Sequence, residues 1–469
     1  MIGTETHPLR VAVIGAGPSG FYAAEHLLKQ KDIVVQVDMF DRLPTPFGLV
    51  RGGVAPDHQK IKSVTAVYDK TAQNPNFRFF GYVEFGRDMS LADFQRFYHQ
   101  IIFTTGAQTD KRLGIPGEDL INSHAATEFV AWYNGHPDYR HLEFDLSQEK
   151  VAVIGVGNVA VDVARILSRT INELRQTDIA EHALEALAQS KVKEVYLIGR
   201  RGPAQAAFTT PEIKELGEME DADCLIPLDE ATPDEHSRAW LAQSADRALQ
   251  RKVEILEEYG QRQRTGKKRA LTIRFLVSPE EILGDEQGRV RAIRLMRNEL
   301  YPTDVGTLRP RATGVEEMLE CGLIFRSIGY MGVPLPGIPF HEKWGVILNQ
   351  MGRVIDPDSQ KPLPGLYTAG WIKRGPSGVI GTNKPDAVET VNCMLEDRVK
   401  GEVNQPDQPD REAAAAFIRE RQPRFVDYND WLKLNEMELQ KGTDAGRPRL
   451  KFTDVEEMLT VLGKVPVEG

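Results

Sequence analysis

The sequence is short of several things. Only three cysteines, Cys224, Cys321 and Cys393, occur in 469 residues, all far apart and none in a Cys-x-x-Cys pair. That excludes a disulfide scaffold, a zinc ribbon, iron–sulfur ligation and dithiol redox chemistry; no metal site is expected, and the compartment reads as reducing. An excess of basic charge is also missing. Against 58 Lys and Arg stand 68 Asp and Glu, a net charge of −10, so nucleic acid, which demands a basic face, is not an expected partner. No stretch offers the ~18 apolar residues of a membrane span; the longest uncharged one, Ser327 to His341, is rich in Gly and Pro. Residues 1–9 lack a basic n-region and an apolar h-region, so a cytoplasmic protein without a targeting segment is expected.

What is present is length enough for two or three cores, with 41% hydrophobic residues, and one pattern written twice. Val11 to Ile14 is an apolar run leading into Gly15-Ala16-Gly17-Pro18-Ser19-Gly20, and Val151 to Ile154 leads into Gly155-Val156-Gly157-Asn158-Val159-Ala160. Behind each turn, apolar residues recur at helical spacing: Phe21, Ala24, Leu27 and Leu28, then Val159, Val163, Ile166 and Leu167. A second apolar run follows each helix, Val34 to Phe40 ending at Asp41, and Val195 to Ile198 ending at Gly199-Arg200-Arg201. Both read as βαβ starts. Ile101 to Ala107 and Leu323 to Gly329 each run an apolar strand into a glycine turn, like two crossings of one domain boundary. The expected fold class is α/β, with two Rossmann-like dinucleotide-binding domains: residues 108–326 form one, inserted into a discontinuous domain made of 1–107 and 327–469. In the insert, Leu271 to Val277 and Val290 to Met296 read as strands, and Ser237 to Tyr259 as a charged helix. Asn404 to Asp410 reads as a linker before two C-terminal helices, one after Asp427 and one after Asp454.

The chemistry follows from the turns. Gly15 permits the tight bend, Gly17 lets the backbone approach a pyrophosphate, Gly20 allows close helix–strand packing, and the helix N-terminus faces the phosphates. Asp41, about 20 residues further on, ends the second strand where a carboxylate bonds ribose hydroxyls, which suits FAD. The second unit ends in Arg200-Arg201 instead, and two guanidinium groups suit the 2′-phosphate of NADP(H); the bland alternative is a solvated basic turn. An FAD-type site beside an NADP-type site points to hydride passing from nicotinamide to flavin. Later, Leu366 to Ala369 is a strand ending at Gly370, and Gly375, Gly378 and Gly381 permit close backbone approach to a flat ligand. Pro385, Asp386 and Glu389 fit the first turns of the next helix. His58 and Asp162 are the candidate proton-handling pair, against the commoner structural histidine and solvated aspartate. Arg247 and Arg251, one helical turn apart and joined by Lys252, are the candidate docking surface for an acidic partner, an ordinary solvated face being the alternative.

Longer motifs carry a resemblance. Pro46-Phe47-Gly48-Leu49-Val50-Arg51-Gly52-Gly53-Val54-Ala55-Pro56-Asp57-His58 follows the first unit, Ala131-Trp132-Tyr133-Asn134-Gly135 precedes the second, and Gly370-Trp371-Ile372-Lys373-Arg374-Gly375-Pro376-Ser377-Gly378-Val379-Ile380 comes late. With the two glycine turns and Gly199-Arg200-Arg201-Gly202-Pro203, the chain resembles ferredoxin-NADP reductases of the adrenodoxin reductase type from about Val11 to Leu462. The resemblance implies an enzyme that takes hydride from NADPH on FAD and passes single electrons to a ferredoxin-type iron–sulfur protein. It implies FAD contacts at Ser19, Asp41, Leu49, Val83, Trp371, Gly378, Val379 and Ile380. It implies NADP contacts at Val156, Gly157, Asn158, Val159, Arg200, Arg201 and Glu212, with Gly378 near the nicotinamide. Asp41 stands where Glu is frequent, and Val156 where a Gln occurs. Two rival readings differ in what they need: a subunit similar to the small subunit of glutamate synthase has an N-terminal Cys-rich region that this chain lacks, and a nucleotide-sensing flavoprotein has no redox-competent flavin.

Overall fold

A computed structural model describes residues 2–304 and 306–465. The chain divides into two units, Met1–Thr109 with Tyr330–Gly469, and Asp110–Gly329.

The first unit is built on a seven-stranded sheet. Its strand order is Asn349–Gln350, Arg353–Ile355, Pro362–Thr368, Gln100–Phe103, Leu9–Ile14, Val35–Asp41, Phe77–Gly81. The last five are parallel, and the first two join antiparallel at the edge. Leu9–Ile14 is buried along its whole length, as a parallel strand covered on both faces must be. Helices Pro18–Leu28 and Asn383–Lys400 pack together over it. At the C-terminus the helices after Asp427 and Asp454 are present as Tyr428–Asp444 and Val455–Val461, each N-capped by its aspartate. A further helix, Arg411–Arg421, follows Asp410, which caps it by accepting from the Ala413 amide at 2.7 Å. The sequence pattern, which reads as a linker there, does not predict this helix.

The second unit has a six-stranded parallel sheet in the order Ser123–Ala125, Leu323–Arg326, Lys150–Ile154, Glu194–Ile198, Arg269–Arg274, Ala222–Leu225. A three-stranded antiparallel sheet, Val277–Gly284, Val290–Pro302 and Leu308–Glu320, stands beside it. Two expectations are corrected here. Leu271 to Val277 is not one strand: the parallel strand ends at Arg274, and Leu276, at a left-handed φ of 57°, turns the chain into the antiparallel sheet. Ser237 to Tyr259 is not one helix either. Helix Glu235–Gln243 stops, and Asp246 restarts a second one, Arg247–Gly260, by accepting from the amides of Ala248 and Leu249 at 2.9 and 3.1 Å.

Candidate functional site

In the first unit, the turn Gly15–Gly20 does what its glycines allow. Gly15 sits at φ 109°, and a Cβ there would lie 2.7 Å from the Thr104 carbonyl oxygen. Gly20 is held against the turn, where a Cβ would meet the Gly15 oxygen at 2.3 Å. At Gly17 the demand is different: a Cβ would find only the Gly48 Cα, 4.0 Å away. The protein therefore leaves room in front of Gly17, and the helix behind it, Pro18–Leu28, has no side-chain N-cap. Its first amides face an open cradle, as anion binding at a helix N-terminus requires. Thr104 was not singled out from sequence, yet its hydroxyl closes the base of the turn by donating to the Gly15 carbonyl at 2.7 Å.

Asp41 ends its strand beside this cradle. Its Oδ2 accepts from the Ala16 amide and its Oδ1 from the Leu43 amide, both at 2.9 Å, so the carboxylate braces the glycine turn itself. Burial raises its pKa, with the two amide bonds and Arg42 pulling the other way. The Val83 amide donates to the Asp41 carbonyl, and the Val83 side chain lies in the core, so only its backbone is available to a ligand. The segment after Pro46 lies directly on the turn: the Phe47 amide donates to the Ala16 carbonyl at 2.7 Å, and a Cβ on Gly48, at φ 49°, would sit 3.0 Å from the Gly17 Cα. Leu49 follows, exposed, at the start of the short helix Leu49–Gly52. His58 is partly buried and opens helix Gln59–Lys62.

The late motif joins the same unit. Ser19 is buried, and its Oγ lies where a Cβ on Gly370 would be, 2.0 Å away; only glycine lets the two segments meet. Asp386 accepts from the Gly370 amide at 2.5 Å and pairs with Lys373 at 3.1 Å, while Glu389 pairs with Lys373 at 2.6 Å. The two acids thus fix this loop to the helix, a more specific task than favouring the helix start. The Trp371 indole is 5.5 Å from the Tyr330 ring, and its N–H donates to the Ser377 carbonyl, which also takes the Arg374 guanidinium. Gly378 needs its φ of 78° and would otherwise strike Thr382, whereas nothing stands near Gly375 or Gly381. Val379 is exposed and Ile380 partly so, at the rim of this loop.

In the second unit Gly155, at φ 137°, lies against the Ser327 carbonyl, where a Cβ would be 2.1 Å away, and Ala160 is fully buried beneath the helix. Among the described residues nothing lies within 4 Å of the place a Cβ would take on Gly157, and helix Asn158–Ser168 has no side-chain cap. Val156 contributes its carbonyl, which accepts from the Ala207 and Phe208 amides at 2.9 and 3.0 Å. Asn158 Oδ1 accepts from the Thr209 amide at 2.9 Å, tying this helix to the start of Thr210–Leu216. Val159 is partly exposed on the same turn.

Arg200 is exposed and Arg201 half-buried at the end of strand Glu194–Ile198, and neither makes an ion pair among the described residues. Burial, then the charge of Arg200, lowers the pKa of Arg201. Two cations on one turn, with no counter-ion among the described residues, supply the charge that a dianion requires. Asp162 and Glu212 meet at one guanidinium. Asp162 is buried and bonded to Arg165 at 2.6 Å; Glu212 is buried and bonded to the same guanidinium at 3.1 Å, with Glu215 at 3.7 Å. Asp162 thus fixes the Arg165 guanidinium from its own helix, and Glu212 fixes it from the neighbouring one. The proposed docking residues also separate. Arg247 is exposed, Arg251 is paired with Glu254 and Glu258 at 2.8 and 3.4 Å, and Lys252 is buried, donating to the Ala206 carbonyl at 2.5 Å. Lys252 therefore adds no charge to the surface. Among the described residues no helix is long and apolar enough to cross a membrane.

Comparison with known proteins matches residues 9–216 to the pyridine nucleotide-disulphide oxidoreductase family. The chain is 44% identical over 464 residues to the NADPH-ferredoxin reductase FprA of Mycobacterium leprae, covering 97% of this chain and 98% of that protein. It is 41% identical over 463 residues to the mitochondrial NADPH:adrenodoxin oxidoreductase of Salvelinus fontinalis, covering 96% and 91%. The solved structure of Mycobacterium tuberculosis FprA in complex with NADPH matches with a TM-score of 0.91 at 41% identity, over 97% of this chain and 100% of that one. At 41 to 44% identity over nearly its whole length, the chain belongs to the ferredoxin-NADP reductases of the FprA and adrenodoxin reductase type.

Proposed function

We infer that the protein is an FAD-dependent reductase that draws on NADPH and serves a ferredoxin-type iron–sulfur protein, with FAD held by the first unit and NADP(H) by the second. When bound, FAD supplies the conversion between a two-electron hydride donor and a one-electron acceptor. The observation that carries this reading is the open space at Gly17 and Gly157, each in front of an uncapped helix N-terminus.

In the first unit Gly17 and the amides behind it hold the pyrophosphate, Asp41 the ribose, and the backbone of Gly48, Leu49 and Val83 the flanks of the nucleotide. The loop from Trp371 to Ile380 presents backbone amides and an indole to the ring, and Ser19 supports it from beneath. His58 is the side chain kept for proton exchange. In the second unit Gly157, Val159 and the amide of Asn158 receive the NADP pyrophosphate, and Arg200 and Arg201 take the 2′-phosphate. Asp162 and Glu212 act through Arg165, holding helices Asn158–Ser168 and Thr210–Leu216 in register. Placement of the nicotinamide carries the rate, since hydride transfer needs no side-chain base. The carrier docks near Arg247 and Arg251, with Arg247 supplying the uncompensated charge. A reducing compartment such as the cytoplasm suits Cys224, Cys321 and Cys393, each buried as a free thiol.

The test is spectroscopic. The purified protein is expected to be yellow, to bleach with NADPH well before NADH under anaerobic conditions, and then to reduce an added ferredoxin. A colourless protein, or one bleached equally by both nucleotides, refutes the reading.

A further inference from the structure

Arg200 and Arg201 repel each other, and neither has a carboxylate partner among the described residues, so something must hold their turn in place before a phosphate arrives. The backbone of the turn is bonded at each of its three positions. The Gly199 amide donates to the Arg274 carbonyl at 2.8 Å, and the Gly199 carbonyl accepts from the Val277 amide at 3.1 Å. The Arg201 carbonyl accepts from the amide of Leu276 at 3.2 Å. Between them, the Arg200 carbonyl accepts from a side chain, Asn298 Nδ2, at 3.1 Å.

Asn298 is placed for this by the antiparallel sheet. It lies one residue past the last pair of strands Val277–Gly284 and Val290–Pro302, Val277 with Arg297, and at the point where pairing with Leu308–Glu320 slips register. Such irregularities re-aim a side chain. The Asn298 amide nitrogen donates to the Leu276 carbonyl at 2.7 Å, and Nδ2 is shared with Ser278 Oγ at 2.7 Å, so the buried side chain has one fixed orientation. Leu276 holds a left-handed φ of 57°, a costly conformation for a bulky residue, which the chain accepts where it faces Arg201.

We propose that Asn298 is a positioning residue for cofactor choice: it pins the Arg200 carbonyl, keeping both guanidinium groups on one face of the turn for a 2′-phosphate. The proposal rests on the reading that these arginines receive that phosphate. NADH has no such group, so loss of the pin falls on NADPH alone.

The experiment compares holoenzyme variants in dye reduction with NADPH and NADH, and in competitive inhibition by adenosine 2′,5′-bisphosphate and 5′-AMP. Asn298→Leu removes the donor at similar volume. Expected are a roughly tenfold fall in kcat/KM for NADPH, carried by KM with kcat nearly constant, a similar weakening of the bisphosphate, and less than twofold change for NADH and 5′-AMP. Asn298→Ser, which keeps a shorter donor and packs gently, is expected to lower the NADPH/NADH ratio about threefold and decides the matter should the leucine variant not fold. Equal losses with both nucleotides, or an unchanged ratio in the variants that retain flavin, overturn the proposal. The Arg200→Ala, Arg201→Ala double variant separates the two levels. If it lowers the ratio and the Asn298 variants do not, only the pin is wrong; if it leaves the ratio unchanged, the phosphate reading and the pin fall together.

Discussion

The two glycine turns share a backbone design and differ in everything around it. At the first, the chain closes over its own cradle: Asp41 is bonded to the turn at Ala16, Phe47 is bonded to it as well, and Gly48 lies against Gly17. At the second, the positions from Gly155 to Val159 are all partly exposed, nothing faces Gly157, and the polar residues at the strand end are an exposed and a half-buried arginine. The first arrangement suits a cofactor that stays, because leaving requires a bonded loop to lift. The second suits one that must come and go on every turnover. On the proposed reading one motif serves as a permanent socket or as an exchange site, depending on what packs upon it.

The strongest way to break the comparison is to fill each cradle. Gly17→Val meets no protein atom nearer than Gly48 and should fold, but its side chain occupies the pyrophosphate position; the purified protein is expected to be colourless. Gly157→Val should keep its yellow colour and raise KM for NADPH by roughly two powers of ten, equivalent to about 3 kcal/mol. Visible spectra and steady-state kinetics on the pair read both outcomes. A flavin-free Gly157→Val variant would dissolve the distinction between socket and exchange site.

Next in size is the arginine couple. Each charge-assisted contact to the 2′-phosphate contributes roughly 1.5 to 3 kcal/mol, so Arg200→Ala with Arg201→Ala should cut the NADPH/NADH preference by about two to four powers of ten, allowing for nonadditivity. Flavin content and reduction by dithionite should not change. The ratio of kcat/KM values for the two nucleotides is the measurement.

Why so much was legible is itself physical. Gly15, Gly17, Gly20, Gly155 and Gly157 answer to local steric rules, and Asp41 and Arg200 to their place at a strand end, so sequence spacing alone locates them. Helix caps such as Asp427 and Asp454 are local too. What escaped was non-local: Thr104 closing the first turn, Asp386 holding Gly370, and Asn298 reaching the Arg200 carbonyl from 98 residues away. The helix expected across Ser237 to Tyr259 is two helices because Asp246, in its middle, caps a fresh start at Arg247, and in a charged stretch a capping aspartate looks like any other acid. Lys252 failed for the same reason in reverse, a cation assumed to be solvated that is spent on a buried carbonyl.

A finer probe of the first socket uses its two aspartates. Burial works to raise Asp38, but bonds and charge from Arg78, then the charge of Arg10, outweigh it and leave its pKa lowered. Three residues on, Asp41 is in no ion pair among the described residues, and burial, against two amide bonds and the charge of Arg42, leaves its pKa raised. Folded Asp41 therefore binds its proton more tightly than the unfolded chain does. Apoprotein stability from this group should fall as pH rises from the ordinary aspartate range through the raised value, whereas the contribution of Asp38 is present above that range and lost as pH falls. Asp41→Asn should abolish the first dependence, leave the second, and weaken FAD by about tenfold through the lost ribose contact. Urea unfolding of the apoprotein across pH 3 to 7 would show whether the descending limb disappears.

The smallest effect belongs to the proposed docking surface, where Arg247 and Arg251 sharpen the same contrast between compensated and uncompensated charge. Arg251 is offset by Glu254 and Glu258 on its own helix, so to an approaching acidic carrier it is nearly neutral, while Arg247 keeps its charge. An exposed pair of this kind contributes little and is screened beyond the Debye length, ~8 Å at physiological ionic strength. Arg247→Glu should raise KM for the ferredoxin about three- to fivefold at low salt and hardly at all at high salt, with reduction of a neutral dye unchanged. Arg251→Glu removes an intrahelical pair as well as a charge, and should change the carrier KM less than Arg247→Glu while lowering the thermal midpoint slightly. Equal KM effects from the two reversals would mean that the carrier reads the patch as a whole and that the carboxylates on the helix turn away from it on docking.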